Sequence, residues 1–370
     1  GIGNTYTAPA YVGGGETNAA NGAKSTVSGG FLNTANGAYT AVGGGAGNTA
    51  AQAGVIAGGL GNQALGASSA VGGGYNNDAT GNFSTIGGGN GNLAGIFGTA
   101  GGGYNNSASG NAAVIGGGFG NATTGLGPTV AGGYLNSALA DSATVAGGGN
   151  NIANQNFATV GGGNTNTATA LSATVPGGQS NDATANYSFA AGRLAKSSHV
   201  GAFVWGDSQS AVTKSSGGAD SFSVYASGGT TFYSNSAATT GVSLAAGGGS
   251  WSSLSDRAAK ENIEPVNGRE VLERLSAIPI STWNYISQDD VVRHMGPMAQ
   301  DFHSAFGLGV SERTIDTIDP DGVALAAIQG LHEMVEERDE TIADQATRID
   351  DLERRLVEML ERLDAVEQNR

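Results

Sequence analysis

The first half of the sequence repeats one short motif, and this repeat limits the possible folds more than any other feature. The motif reads approximately A-T-V-x-G-G-x-x-N-x-A-x-G-x-x, and successive copies are 14 or 15 residues apart. The residue two positions before each glycine pair is small or apolar: Val12, Val27, Val42, Ile56, Val71, Ile86, Ala100, Ile115, Val130, Val145, Val160 and Val175. Six residues later an asparagine follows in every copy: Asn18, Asn33, Asn48, Asn62, Asn77, Asn92, Asn106, Asn121, Asn136, Asn151, Asn166 and Asn181. A chain with 65 glycines could be disordered, but this constant register indicates an ordered array.

A repeat of this length has room for about two strands and two turns, which is one coil of a β-solenoid. Coils stack at the strand spacing of about 4.8 Å, so twelve coils extend for about 58 Å. The asparagines are then expected to form a structural ladder, in which side-chain amides pass hydrogen bonds between coils. Phosphate-binding glycine loops are a poor alternative, because no Lys-Ser or Lys-Thr follows any glycine pair.

One thin coil buries too little apolar surface to be stable alone, so its spare small and apolar positions are expected to face other copies of the chain. The repeats at 1–190 resemble the heads of trimeric autotransporter adhesins, in which three left-handed parallel β-rolls pack side by side. They resemble equally the glycine-rich shafts of bacteriophage tail fibres. Both resemblances imply a mostly β, trimeric fibre, and neither identifies a ligand.

Residues 191–254 are predicted to form a β-rich neck and linker. The repeat decays there, and segments 200–205, 221–225 and 230–233 alternate like short strands. Six aromatic residues are predicted to form the core of a trimeric neck: Phe203, Trp205, Phe222, Tyr225, Phe232 and Tyr233. A carbohydrate-binding surface is the alternative, because exposed aromatic rings stack on sugars.

The C-terminal part is predicted to be a small α/β domain at 255–330, followed by a trimeric coiled coil at 331–370. A heptad seam of mostly apolar residues supports the coiled coil: Leu331, Val335, Arg338, Ile342, Gln345, Ile349, Leu352, Leu356, Met359, Leu363 and Val366. The polar residues Arg338 and Gln345 within this seam cost stability and help to specify register. A solvated monomeric helix would leave the large apolar residues exposed.

Three ordered motifs in this part resemble the endosialidase-type intramolecular chaperone of phage tail spikes and fibres. They are SDRAAKENI at 255–263, HMGPMAQD at 294–301 and DGVALAAIQ at 321–329. Together with the coiled coil they cover residues 251–370. This chaperone family is related to the self-cleaving domain of myelin regulatory factor.

In that family a serine–lysine pair cuts the peptide bond just before the serine, which releases the chaperone after the trimer has folded. The resemblance implies that Ser255 is the nucleophile, that Lys260 is its general base, and that the bond Leu254–Ser255 is cut. Three further polar residues lie in the matching motifs and are candidates for orienting the pair: Asp256, His294 and Gln300. Two alternatives stay open: Ser255 only caps a helix that begins at Asp256, or the module is a chaperone that does not cleave.

Charge and composition exclude several other functions. The net charge is −15, and residues 255–370 hold 25 of the 31 acidic groups, so binding to nucleic acid is not expected. No segment approaches 18 consecutive apolar residues, so membrane insertion is not expected. Scattered histidines and the absence of cysteine predict neither a metal site nor a cofactor. Residues 1–254 contain six acidic residues, which makes a polysaccharide-cleaving glycosidase improbable.

The sequence therefore predicts an extracellular trimeric fibre, most simply a virion tail fibre that mediates host attachment. Its partners would be two further copies of the chain, a host-surface receptor such as a glycan, and an upstream tail or baseplate protein. Its enzymatic activity would be at most one Ser–Lys cleavage of its own chain. The alternative is a cell-surface or secreted trimeric adhesin without cleavage. Autotransporter adhesins normally end in a membrane anchor, whereas this sequence ends in a soluble coiled coil. Because Gly1 already lies within the repeat pattern, a processed chain or a fragment is expected.

Overall fold

The computed structural model describes residues 1–209 and 211–367, which form two compact units. The first unit comprises residues 1–230 with 246–248, and the second comprises 231–245 with the described residues from 249 onward. Residue 210 of the predicted neck and residues 368–370 of the predicted coiled coil lie outside the described residues.

The first unit is a parallel β-solenoid with two sheets, one of fifteen and one of sixteen strands. The strands of the first sheet are Thr5–Tyr6, Ala19–Ala20, Thr34–Ala35, Thr49–Ala50, Gln63–Ala64, Asp78–Ala79, Leu93–Ala94, Ser107–Ala108, Ala122–Thr123, Ser137–Ala138, Ile152–Ala153, Thr167–Ala168, Asp182–Ala183, Ala195–Ser197 and Lys214–Ser215. The strands of the second sheet are Tyr11–Val12, Thr26–Val27, Ala41–Val42, Val55–Ile56, Ala70–Val71, Thr85–Ile86, Thr99–Ala100, Val114–Ile115, Thr129–Val130, Thr144–Val145, Thr159–Val160, Thr174–Val175, Gly178–Gln179, Phe189–Arg193, Phe203–Gly206 and Phe222–Tyr225.

Each two-residue strand of the repeat turns one side chain outward and one inward, because successive residues of a strand point to opposite faces. In the second sheet the inward residue is the Val or Ile of the motif, as in Val27, which pairs in register with Val42 of the next coil and is fully buried. In the first sheet the inward residue is a small one such as Ala35. The predicted parallel solenoid is thus confirmed, with its core along these two columns.

The solenoid is longer than the twelve repeats predict. Stacking begins at Thr5–Tyr6 and continues beyond the last glycine pair to Lys214–Ser215 and Phe222–Tyr225, which gives about fifteen turns. Parallel pairing joins backbone groups, so segments that have lost the glycine motif still add strands to both sheets. Much of the predicted neck therefore continues the solenoid sheets.

The aromatic residues of the predicted neck are partly exposed. Phe189, Phe203 and Phe222 form a stack on successive strands, with ring centroids 4.7 and 4.6 Å apart. Phe222, Phe232 and Tyr233 are more than half exposed in the single chain. Their role in a trimeric neck core, or on a carbohydrate-binding surface, stays a prediction.

The second unit contains a small sheet, a hairpin and three α-helices. The sheet is formed by Thr230–Tyr233, Gly241–Leu244 and Trp251–Ser253, and a short 3₁₀ helix follows at Arg257–Ala259. The hairpin pairs Ser281–Trp283 with His294–Gly296 in antiparallel register. The helices are α1 (Gly268–Ala277), α2 (Ala299–Phe306) and α3 (Ile318–Glu367).

A small apolar core joins these helices. Ile278, Phe302 and Val323 are buried together, and Val271 and Leu275 of α1 pack against them. Helix α3 begins at Ile318, well before the predicted start of the coiled coil at 331, because its first turns pack against this core.

Candidate active site

The residue before Ser255 is held by the small sheet. The strand Trp251–Ser253 pairs antiparallel with Gly241–Leu244, and the backbone N–H of Leu254 donates to the carbonyl of Gly241 at 3.1 Å. Leu254 thereby continues the ladder by one residue. Ser255 is the first residue beyond it and leads into the 3₁₀ helix.

One turn of this helix brings Lys260 back to Ser255. Asp256 caps the helix, since its Oδ1 accepts the N–H of Ala258 at 2.9 Å. Lys260 ends the helix in an extended conformation, and its Nζ donates to Ser255 Oγ at 2.6 Å. The helix cap is therefore Asp256, and the alternative assignment of Ser255 as the cap is not the arrangement found.

A hydroxyl within hydrogen-bonding distance of an amine is the arrangement that a serine–lysine nucleophile requires. The neutral form of the Lys260 amine would accept the hydroxyl proton, whereas the ammonium form donates as described. Both side chains are exposed in the single chain, so water reaches the pair.

Ser255 lines a cavity of about 610 Å³ between the small sheet and the start of α3. Trp251 and Ser253 line it from the strand, while Asp321 and Leu325 line it from the first turns of α3. Asp321 was not among the site residues predicted from the sequence. The available signal was its position as the first residue of the third motif.

His294 and Gln300 lie in a different environment from the Ser255–Lys260 pair. His294 Nε2 is 2.9 Å from Gln288 Oε1, and its ring packs against Trp283 with centroids 4.8 Å apart. Gln300, in the first turn of α2, lines another cavity that Trp283 also borders. No hydrogen bond described in the structure joins His294 or Gln300 to Ser255 or Lys260, and a supporting role for them stays a prediction.

The asparagine column makes the same hydrogen bonds in coil after coil. For Asn92, the side-chain Oδ1 accepts the backbone N–H of Asn106 at 3.0 Å, and Nδ2 donates to the carbonyl oxygens of Gly88 and Gly103 at 2.9 and 3.0 Å. Nδ2 also donates to Asn77 Oδ1 at 3.0 Å. All twelve predicted members are at most 1% exposed.

The column has one member more than the sequence prediction included. Asn4 Oδ1 accepts the backbone N–H of Asn18 at 2.9 Å, which extends the column by one coil at its start. At the other end Asn181 Oδ1 accepts the N–H of Ala195 at 3.0 Å. The spacing of 14 residues between Asn4 and Asn18 was the signal for this additional member.

The structure adds two observations about other kinds of site. Within residues 1–209 and 211–367, no group of three or more His, Asp or Glu side chains is arranged to hold a metal ion. No helix among these residues is both long and apolar enough to cross a membrane.

The chain combines a long β-solenoid shaft with a small C-terminal domain that contains a hydrogen-bonded serine–lysine pair. Comparison with known families identifies the small domain: residues 255–310 match the family described as chaperone of endosialidase. No curated protein matches the chain. The chain therefore carries a chaperone-of-endosialidase domain behind a β-solenoid shaft, as predicted. The match includes Ser255 and Lys260 and ends before α3.

Proposed function

We propose that the protein is a trimeric extracellular fibre, of the kind found on virus tails, that attaches to a host surface. Its C-terminal domain acts as an intramolecular chaperone that drives trimerisation and then cuts the bond between Leu254 and Ser255. The observation that carries the cleavage is the 2.6 Å hydrogen bond between Lys260 Nζ and Ser255 Oγ, immediately after a sheet-anchored residue.

Trimerisation is supported by the two faces of α3. One face packs on its own domain, where Val323, Ala326 and Gly330 are buried. Arg269 of α1 continues this contact through ion pairs to Glu333 at 3.2 Å and to Glu337 at 2.5 Å.

The heptad seam lies on the opposite face of α3 and has no partner in the single described chain. Nine large apolar seam residues are 45–64% exposed: Leu331, Val335, Ile342, Ile349, Leu352, Leu356, Met359, Leu363 and Val366. Extending the heptads towards the N-terminus adds Ala324 and Ile328, and Ile328 is 62% exposed. Packing of three parallel copies along this seam would bury it without disturbing the contacts with α1.

The proposed cleavage begins with transfer of the Ser255 hydroxyl proton to the neutral amine of Lys260. Oγ attacks the carbonyl carbon of Leu254, the C–N bond breaks, and the Ser255 nitrogen takes the proton back from Lys260. The product is an ester between the Leu254 acyl group and Ser255 Oγ. One water molecule then hydrolyses this ester to a Leu254 carboxylate and a free Ser255.

Assembly is proposed to complete the site. In the single chain both side chains of the pair are exposed, and the charged ammonium form of an exposed lysine is well solvated. Neighbouring chains that exclude water would favour the neutral amine and restrict the pair to its reactive orientation. Cleavage would then follow folding of the trimer instead of preceding it.

Mass spectrometry of the denatured product tests this proposal. The wild-type chain of 36.4 kDa should yield fragments 1–254 and 255–370 after assembly. Ser255→Ala should stay full length and still form trimers, and Lys260→Ala should slow or stop cleavage. Ser252→Ala, which alters a serine of the same strand, is the control and should cleave normally. A single 36.4 kDa wild-type chain in assembled trimers would show that the domain is a chaperone without protease activity.

A further inference from the structure

A third column of residues runs along the solenoid, directly after the glycine pairs. Isolated parallel bridges join its members from coil to coil: Glu16, Phe31, Ala46, Leu60, Tyr75, Asn90, Tyr104, Phe119, Tyr134, Gly149, Asn164 and Gln179. We call this set the bridge column. Its side chains lie at the surface, so it is independent of the buried asparagine column.

Three consecutive aromatic rings of the bridge column form a stack. The ring centroids of Tyr104 and Phe119 are 5.1 Å apart, those of Phe119 and Tyr134 are 5.2 Å apart, and the planes are tilted by 11° and 19°. Rings stacked in this way cover the faces of their neighbours and present mainly their edges to solvent. Only the two ends of the stack can offer an uncovered face.

The stack ends at Gly149, although the backbone there does not require glycine. A Cβ atom at Gly149 would lie 3.4 Å from Asn164 Nδ2 and 3.8 Å from the carbonyl of Tyr134, and the residue is outside the left-handed region. The preceding Gly148 differs, since its φ is 84° and a Cβ would lie 2.0 Å from the carbonyl oxygen of Gly163. The backbone of the chain therefore requires glycine at Gly148 and does not require it at Gly149.

The missing side chain leaves a gap one layer deep between Tyr134 and Asn164. Two strand spacings, about 9.6 Å, separate these layers, so one six-membered ring parallel to the Tyr134 ring can occupy the layer of Gly149. The far wall is the amide of Asn164, whose Oδ1 accepts from Thr165 Oγ1 at 2.9 Å. Its Nδ2 has no acceptor among the described residues and is the atom nearest to the gap.

We propose that this gap, formed by Tyr134, Gly149 and Asn164, binds one sugar ring of a neutral glycan. The apolar C–H face of the sugar would lie on the open face of Tyr134, and a hydroxyl or acetamido oxygen would accept from Asn164 Nδ2. A neutral sugar is expected because residues 1–254 carry six acidic and four basic groups, of which none is part of the gap. The inference rests on the proposed attachment function, and a trimer would display three such gaps at one level.

Binding of the assembled full-length protein to an array of neutral hexose and N-acetylhexosamine glycans, with sialylated glycans as a second arm, tests the inference. Gly149→Tyr supplies the missing ring, so it should preserve the melting temperature while lowering glycan affinity at least about tenfold. Tyr134→Ala should lower affinity similarly by removing the stacking face. Phe31→Ala, a remote change in the same column, is the matched control and should leave affinity unchanged.

Three results would overturn the inference: wild-type protein that binds no neutral glycan, protein that binds only the sialylated arm, or a Gly149→Tyr variant that binds like wild type. Trimer formation and self-cleavage are measured on the same samples, so failure of the chaperone is distinguished from failure of the gap. If Gly149→Tyr loses glycan binding but still adheres to host cells, the gap is confirmed as a glycan site and attachment uses another surface as well. If the Gly149→Tyr variant adheres to host cells and also keeps glycan binding, the proposed attachment function is supported and the gap is excluded as the glycan site.

Discussion

At the scale of single residues, the asparagine column explains how a polar side chain can fill the interior of a thin solenoid. A buried amide is costly unless its donors and acceptor are paired, and each amide here bonds to its own coil and to the neighbouring coils. One of these bonds goes to the carbonyl of Gly88, which accepts no described backbone N–H, so the asparagine also satisfies a turn group that backbone pairing leaves free. The column therefore belongs to the folding of the shaft and is expected to have no direct part in receptor binding.

Replacement of Asn92 by alanine tests this role. It removes the amide and leaves the N–H of Asn106 and the carbonyl of Gly88 without their partner, while the carbonyl of Gly103 keeps only the backbone N–H of Asn90. We therefore expect a loss of roughly 1–3 kcal/mol in unfolding free energy. Thermal melting followed by circular dichroism is the measurement, with the exposed Asn154→Ala as control. Loss of receptor binding without a change in melting would contradict the structural assignment.

Asp78 provides a pH-dependent test in the same coils. Its Oδ1 is buried without a hydrogen-bond partner among the described residues, and burial raises the pKa of this carboxyl above its ordinary value near 3.8. The folded state therefore binds this proton more tightly than the unfolded state. The contribution of the protonated Asp78 carboxyl to the free energy of unfolding is lost as the pH rises through the raised pKa. Asp78→Thr should therefore melt higher than wild type at pH 7, with a smaller difference near pH 3.

Equivalent positions of other coils already carry threonine, as at Thr34, so the replacement fits the strand. The control is Gln63→Thr in the preceding coil, which changes an uncharged residue of the same column and should show no pH dependence. A pH-independent effect of Asp78→Thr would indicate that strand propensity, and not the buried charge, caused it.

At the scale of elements, one face of α3 packs against its own domain and another face carries the exposed heptad seam. Gly330 lets the helix approach α1 closely, because a Cβ there would lie 2.3 Å from the backbone carbon and oxygen of Gly268. Backbone atoms at this distance cannot move aside as a side-chain end can. The contact therefore depends on glycine despite the low helix propensity of that residue.

A pair of glycine substitutions in α3 separates packing from propensity. Gly330→Ala should destabilise the C-terminal domain by roughly 1–3 kcal/mol, because steric overlap outweighs the gain in helix propensity. Gly322→Ala, with no atom within 4 Å of the added Cβ, should instead stabilise it by roughly 0.5–1 kcal/mol. Helix unfolding followed at 222 nm compares the two; stabilisation by both substitutions would exclude the close helix contact.

At the scale of the whole molecule, neither the thin solenoid nor the long helix buries all its apolar surface within one chain. The seam of α3 is the clearest case, since its apolar residues are about half exposed along the whole helix. The shaft likewise exposes rings outside the bridge column, since Phe83, Phe97 and Phe157 are 54–59% exposed. A parallel homotrimer is the assembly that the sequence predicts for both parts.

Light scattering at micromolar concentration should report three chains for the wild-type protein. Ile349→Asp places a charge in the seam and should dissociate the trimer, because a buried unpaired carboxylate is strongly unfavourable. Thr347→Asp adds the same charge to the opposite face of α3 and should leave three chains. A folded wild-type monomer, or equal effects of the two substitutions, would contradict the prediction that the heptad seam forms the trimer interface.

Features that depend on local periodicity were predictable from the sequence. The register of valines and asparagines specifies which side chains face inward in each coil, because parallel stacking places equivalent residues above one another. The five-residue spacing of Ser255 and Lys260 likewise suits a single helical turn, which the structure places between them. The heptads of α3 identified its exposed seam for the same reason.

Features that depend on contacts between distant segments were decided only by the tertiary structure. The solenoid continues to Tyr225 because backbone pairing tolerates loss of the motif. Asp321 borders the cavity of Ser255 because α3 starts at Ile318 and passes the small sheet, whereas His294 is held apart by Trp283 and Gln288. Sequence spacing reports which residues share a face of one element, and only packing determines which faces of separate elements meet.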